Sequence, residues 1–273
     1  MITEAVRVSP GWLALREPAD AAARSKELAE RLRRHLPATG RLVVHDLGGG
    51  SGALGRWLGP RLPGPQHWVV HDRDDALLEL AAAGAPEAAA DGTAVTVEAR
   101  RSDVTRLEPR DLAGASIVAA SALLDMLTAD ELGATLDVCT AVGCPILLAL
   151  SVVGRVALTP AEPLDARIAG AFNAHQRRTT AAGRLLGPDA VAEAVGRLRR
   201  TGAEVLVRPS PWRLDAAHAE LTAEWLGGWI AAACEQEPAL TAAAGAYLDR
   251  RLAQAAAGAL VVTVDHADLL VAP

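Results

Sequence analysis

The chain has 273 residues, of which 51% are hydrophobic, with a net charge of -6. That length suits one large α/β domain, or a core domain with a sizeable insertion. The acidic balance argues against a general binder of phosphate backbones, which would be basic.

Residues 1–40 read as a helical preface. In the run 19–36, Ala22, Leu28, Leu32 and Leu36 share one face opposite charged residues, with Pro18 as a start signal and Pro37 as a stop. Short apolar runs follow at 41–46, 66–72, 94–100, 116–121 and 145–152, separated by helical stretches at 52–59, 74–83, 107–113 and 129–142. Strands apolar along their length, alternating with helices, predict a mostly parallel sheet covered on both faces. Right-handed crossovers make it doubly wound.

Beyond residue 152 the rhythm changes. A proline-rich turn at 159–165 leads to helices at 165–178 and 188–201, then a sixth strand at 203–209. Two further helices, 221–236 and 239–258, precede a seventh strand at 259–266. The expectation is one domain over 1–273. Its cofactor-binding core spans 41–152, and its acceptor-side region, 153–273, carries a helical insertion at 215–257 before the last strand.

The first strand runs into Asp46-Leu47-Gly48-Gly49-Gly50-Ser51-Gly52. Glycine permits a sharp turn and close ligand approach, and the helix that follows opens with free N–H groups. Gly48, Gly50 and Gly52 fit G-x-G-x-G, while Gly48, Gly50 and Ala53 fit the dinucleotide pattern G-x-G-x-x-G/A. The second strand ends at Asp72, beside the turn in a doubly wound sheet, where a carboxylate can accept from both hydroxyls of a ribose. Both cofactor classes use that carboxylate. Asp46, two residues ahead of the first glycine, separates them: it would repel a pyrophosphate and suits a ligand bearing an ammonium and a sulfonium.

The ordered series VVHDLGGGSGALGRWL, WVVHD, RRSDV and IVAASALLDML resembles class I S-adenosylmethionine-dependent methyltransferases over residues 41–150. GWLALREPADAAAR and the distal HQRR and SPWRL segments resemble a bacterial subgroup of unassigned substrate. The resemblance implies a Rossmann-like fold with S-adenosylmethionine as cofactor. By position, Asp46 would orient the methionine amino group through water, and Gly48, Gly50 and Gly52 would face the adenosyl and methionine parts. Asp72, with Arg73 beside it, would hold the ribose. Ser102, Asp103 and Val104 would meet the adenine, with Asp103 accepting from its amino group or simply capping a helix. Ser121 would border the methionine, and Arg16 or Arg24 would reach its carboxylate, unless Arg16 makes only a surface ion pair.

Acceptor chemistry is less legible, because alignment alone can carry transfer of an activated methyl group. His175 and Asp125 are the candidate bases, against readings of His175 as a packing residue and Asp125 as a helix cap. Arg177 or Arg178 could bind an anionic acceptor or cover a solvated helix end. His45 and His71, neighbours of the key aspartates, read as core or strand-end residues. Trp212, Trp225 and Trp229 either wall an acceptor pocket or fill the core, the latter two sharing a helix face. No metal spacing appears, and Cys139, Cys144 and Cys234 read as reduced thiols. Without an apolar leader or a membrane-length run, the expected location is cytoplasmic. The leading expectation is methyl transfer to a small molecule, with no membrane partner and room for a homodimer. The alternatives are an RNA methyltransferase using Arg31, Arg33, Arg34, Arg177 and Arg178, a nicotinamide-dependent reductase, and a non-catalytic scaffold.

Overall fold

The computed structural model describes residues 8–272. In chain order its elements are α1 (Pro10–Ala23), α2 (Lys26–Arg33), β1 (Leu42–Leu47), α3 (Ala53–Leu58), β2 (Gln66–Asp72), α4 (Asp75–Ala83), β3 (Val95–Arg101), β4 (Ile117–Ser121), α5 (Ala129–Ala141) and β5 (Ile146–Thr159). There follow α6 (Asp165–Gln176), the short hairpin β6 (Thr179–Thr180) and β7 (Gly183–Arg184), α7 (Ala190–Arg200), β8 (Glu204–Pro209), β9 (Trp212–Leu214), α8 (Ala219–Gln236), α9 (Thr241–Ala256) and β10 (Val261–Ala272).

The main sheet runs β3-β2-β1-β4-β5-β10-β8, with β9 also on β10. Strands β1 to β5 pair in parallel, whereas β10 is antiparallel to both β5 and β8. The order reverses between β1 and β4, so a cleft opens at their carboxyl ends. One face packs Val44, Trp68, Ala119 and Leu147 under Leu28 and Leu32 of α2 and Leu54 and Leu58 of α3. The other packs Leu47, Val118 and Leu148 under Leu132 and Leu136 of α5 and Ala194 and Leu198 of α7. The expected doubly wound architecture is therefore present.

Several details differ from the sequence reading. The N-terminal helices are present, but the helical run 19–36 is divided between α1 and α2. α1 runs straight through Pro18, which removes a hydrogen bond to the Ala14 carbonyl. Ala14 and Pro18 are both exposed, so water can take up that carbonyl. The chain instead breaks at Arg24, whose backbone is extended, and Ser25 then caps α2. The stretch 107–113 is only a single 3-10 turn, Pro109–Leu112.

The last two long strands are also longer than their apolar runs suggested. β5 continues to Thr159 and β10 to Ala272, because Val261–Val264 pairs with Val156–Thr159 beyond the parallel part of the sheet. β9 makes an eighth strand where seven were expected. This extension carries the insertion. Trp225, Trp229 and Ile230 of α8 and Tyr247 of α9 pack against Ile168 of α6, Leu158 of β5 and Val262 of β10. Arg251, fully buried, fastens α9 by donating to the Pro160 carbonyl and to Asp165, which also accepts from Tyr247. No helix among the described residues is long and apolar enough to cross a membrane.

Candidate functional site

Side chains alternate along a strand. Asp46 therefore continues the face of Leu42 and Val44, and Asp72 the face of Trp68 and Val70, with His45 and His71 on the opposite side. The loop after β1 folds back onto the end of β2: Gly49 N–H donates to the His71 carbonyl (3.1 Å), and Gly50 N–H to Asp72 Oδ2 (2.9 Å). Asp72 Oδ1 accepts from Asp74 N–H (3.0 Å). Each carboxylate oxygen accepts more than one hydrogen bond, so these contacts orient Asp72 and leave it capacity.

Gly49 is fixed by close approach. A Cβ there would lie 2.7 Å from Asp46 Oδ2 and 2.8 Å from Val70 Cγ1. Gly50 has φ +54, a left-handed conformation that costs other residues energy. The glycine-rich spacing thus serves two ends, a left-handed turn and a backbone laid directly over the Asp46 carboxylate.

Helix α1 closes the cleft from above. Arg16, Asp20 and Arg24, four residues apart, form one stripe. Asp20 receives Arg16 Nε (3.0 Å) and Nη2 (3.2 Å), and also Trp212 Nε1 (2.9 Å). The Arg16 guanidinium lies 4.9 Å from the centre of the Trp212 ring. Arg24 is buried, donates through Nη2 to Ser121 Oγ at the tip of β4 (3.2 Å), and stands 4.0 Å from Asp20. Beneath the joint of α1 and α2, buried Asp268 accepts from Ser25 N–H (2.7 Å) and Leu150 N–H (2.8 Å).

Asp46 is wholly buried, and neither carboxylate oxygen has a hydrogen-bond partner among the described residues. Burial pushes its carboxyl up from 3.8 to about 7, against the Arg24 charge and with a contribution from Asp72. Burial also pulls the Arg24 guanidinium down, opposed by Asp20, Asp46 and Asp268. Asp125, half-buried in the turn after β4, is pushed up to about 6 by burial, with the charges of Arg16 and Arg178 working the other way. Arg16 and Arg24 are thus set among the four carboxylates Asp20, Asp46, Asp125 and Asp268, an arrangement with room for positive charge.

Most of the expected cofactor residues converge here: Arg16, Arg24, Asp46, Gly48, Gly50, Gly52, Asp72 and Ser121. Ser102 joins them through its N–H, which donates to the Asp72 carbonyl (2.8 Å). Asp103 caps the turn Val104–Arg106 by accepting from Thr105 N–H (3.0 Å) and Oγ1 (2.7 Å). Val104 is half-buried beside it, and Arg73 is exposed.

His175 lies on α6. Its Nε2 meets Glu235 on α8 (3.2 Å). Arg177 is held bidentately by Asp189 at 2.5 and 2.7 Å, whereas the Arg178 guanidinium donates to the His175 carbonyl (3.3 Å). Trp225 and Trp229 stack at 5.0 Å inside the core of the insertion. Sequence reasoning missed Asp20, although the spacing 16, 20, 24 on a helix was the signal for it. It also missed the polar lining from β10, Asp268 and buried His266, whose ring lies 5.4 Å from Trp212.

No protein-family model and no curated protein matches this sequence. Among solved structures, the cyclopropane synthase MmaA2 from Mycobacterium tuberculosis superposes with a TM-score of 0.52 at 12% identity, over 97% of this chain and 95% of that one. The chain has the Rossmann-like methyltransferase fold. Two S-adenosylmethionine-dependent methyltransferases in complex with S-adenosyl-L-homocysteine also align, each with a TM-score of 0.47 and over 97% of this chain. The one from Geobacter sulfurreducens is 17% identical over 98% of its length, and the one from Thiobacillus denitrificans 16% identical over 99%.

Proposed function

We propose that the chain binds S-adenosylmethionine in this cleft and transfers its methyl group to a small-molecule acceptor. The observation that carries the reading is Asp46, a buried carboxylate under the glycine-rich loop with no hydrogen-bond partner among the described residues. An unpaired buried carboxylate is costly, and a cationic ligand above it relieves that cost where a pyrophosphate would add to it. When bound, S-adenosylmethionine supplies a methyl carbon already activated by the sulfonium.

The chain's own residues then bind and orient. Asp72 accepts from the ribose hydroxyls, Asp103 and Val104 border the adenine, and Arg24 and Arg16 face the methionine carboxylate from α1. On the acceptor side, Asp125 is the better base than His175, because it sits on the ligand edge of the sheet and its carboxyl titrates near 6. It takes up a proton when the acceptor atom starts protonated. Arg178, free of any carboxylate partner among the described residues and close enough for its charge to act on Asp125, favours an acceptor with some negative charge.

The RNA reading fares worse. Arg31 is paired with Glu27 (2.9 Å) and Arg177 with Asp189, which cancels part of the charge a phosphate backbone would need. A thermal-shift comparison tests the reading. S-adenosylhomocysteine should raise the melting temperature, NAD and NADP should not, and Asp72→Ala should weaken the nucleoside at least tenfold. Stabilisation by the dinucleotides alone would refute it.

A further inference from the structure

His45 on β1, His71 on β2 and Ser102, the first residue past β3, form a hydrogen-bonded chain across the sheet. It lies on the face opposite Asp46 and Asp72. His45 Nδ1 is 2.9 Å from His71 Nε2, and His71 Nδ1 is 2.9 Å from Ser102 Oγ. Both histidines are buried, with ring centres 5.2 Å apart.

Ser102 Oγ lies 2.9 Å from His71 Nδ1 and 3.3 Å from the Arg100 carbonyl. Its one hydrogen goes to the carbonyl when Nδ1 carries a proton and to Nδ1 when it does not. In the first arrangement neutral His71 accepts at Nε2 from His45 Nδ1–H, and in the second it donates from Nε2 to His45 Nδ1. Burial, the main cause, holds both rings neutral, with each imidazole pulled down to about 4.

The pairing of β2 with β3 ends at Asp72 and Arg101. Ser102 lies one residue beyond that ladder, where its N–H donates to the Asp72 carbonyl (2.8 Å) and its side chain is held by His71 Nδ1. Two residues away on the same strand faces stand apolar groups, Val69 on β2 and Leu47 on β1. The same face carries further polar groups towards the sheet edge, His67, Thr96, Glu98 and Arg100, and the hydrogen bonds His45–His71–Ser102 offset the cost of burying the ring nitrogens.

We propose that His71 is a positioning residue for adenine recognition: it fixes Ser102, and through it Asp103 and Val104, at a set distance from Asp72. This rests on the reading of the cleft as an S-adenosylmethionine site. His71 touches no cofactor atom and acts through Ser102.

The test is calorimetric titration of the full chain with S-adenosylhomocysteine and with S-inosylhomocysteine, in which an oxo group replaces the adenine amino group. The unaltered chain should prefer the adenine form. His71→Phe should weaken S-adenosylhomocysteine about tenfold and shrink that preference at least fivefold. Ser102→Ala should do the same, and the double variant should be no worse than either single one. His71→Asn, whose amide nitrogen can donate from near the place of Nδ1, should keep most of the preference. A merely structural role would lower stability and leave the preference intact, and that result in His71→Phe would overturn the proposal. If His71→Phe does not fold, an unchanged preference in Ser102→Ala overturns it equally. Failure of the unaltered chain to bind S-adenosylhomocysteine would instead strike the cofactor reading, and this proposal with it.

Discussion

Asp46→Asn should stabilise the ligand-free chain, by an amount that grows as pH rises from 4 to 7, while weakening its grip on the cofactor. The sign follows from linkage. The Asp46 carboxyl titrates near 7 in the fold against an ordinary 3.8. Between those values the unfolded chain has lost the proton and the folded chain keeps it, so folding stability falls as pH rises. Fully developed, a shift of that size corresponds to about 4 kcal/mol. Asparagine carries no charge and escapes this penalty, although its amide still lacks partners at a cost of about 1–3 kcal/mol.

The buried histidines act with the opposite sign. His45, His71 and His266 are each pulled down to about 4 by burial. The unfolded chain therefore takes up protons that the fold refuses, and stability is lost as pH falls from 6.5 towards 4. These groups are common to both proteins and cancel in the difference between their melting curves. Melts of the two proteins from pH 4 to 8 should show a gap that widens up to pH 7 and then levels off. A gap independent of pH would mean that Asp46 does not titrate in this range.

Arg24→Met should destabilise the fold by about 3 kcal/mol, in the range seen when one partner of a buried ion pair is removed. The guanidinium is buried between Asp20 and Ser121, and its charge also eases Asp46 and Asp268. Without it, buried Asp46 and Asp268 lose a compensating charge, Asp20 keeps only Arg16, and Ser121 loses a donor. Methionine fills the volume and isolates the loss of charge from the loss of packing. Because protonation of those carboxylates relieves the excess, the variant should lose less at pH 5 than at pH 8. Urea titrations at the two pH values check this, and a loss below about 1 kcal/mol at both would show that Arg24 is not structural in this way.

Much of the fold was legible because its strands obey a simple rule. Strands covered on both faces must be apolar along their length, and runs such as SIVAAS and PILLALSV show it directly. The carboxylates Asp46 and Asp72 were legible for a similar reason: glycines mark where the first strand turns, and strand ends in a doubly wound sheet converge there. What sequence left hidden depends on contacts between distant segments. The continuation of β5 and β10 is held by their mutual pairing, not by any local run of apolar residues. α1 passes through Pro18 because the carbonyl it frees faces solvent. Gly49 has no local reason at all: its reason is Asp46, three residues back, folded underneath it. His175 looked reactive in a polar stretch, yet the helix that carries it turns it towards Glu235.

The central claim is that the carboxylate buried under the glycine-rich loop makes this cleft a site for a cationic nucleoside. Calorimetric titration with S-adenosylhomocysteine at pH 6.5, in two buffers of different ionisation enthalpy, tests it most directly. The account predicts saturable binding with release of protons, because the ligand's ammonium favours ionised Asp46, and both features should shrink in Asp46→Asn. No heat at high micromolar protein, or binding without any net proton release, would contradict it.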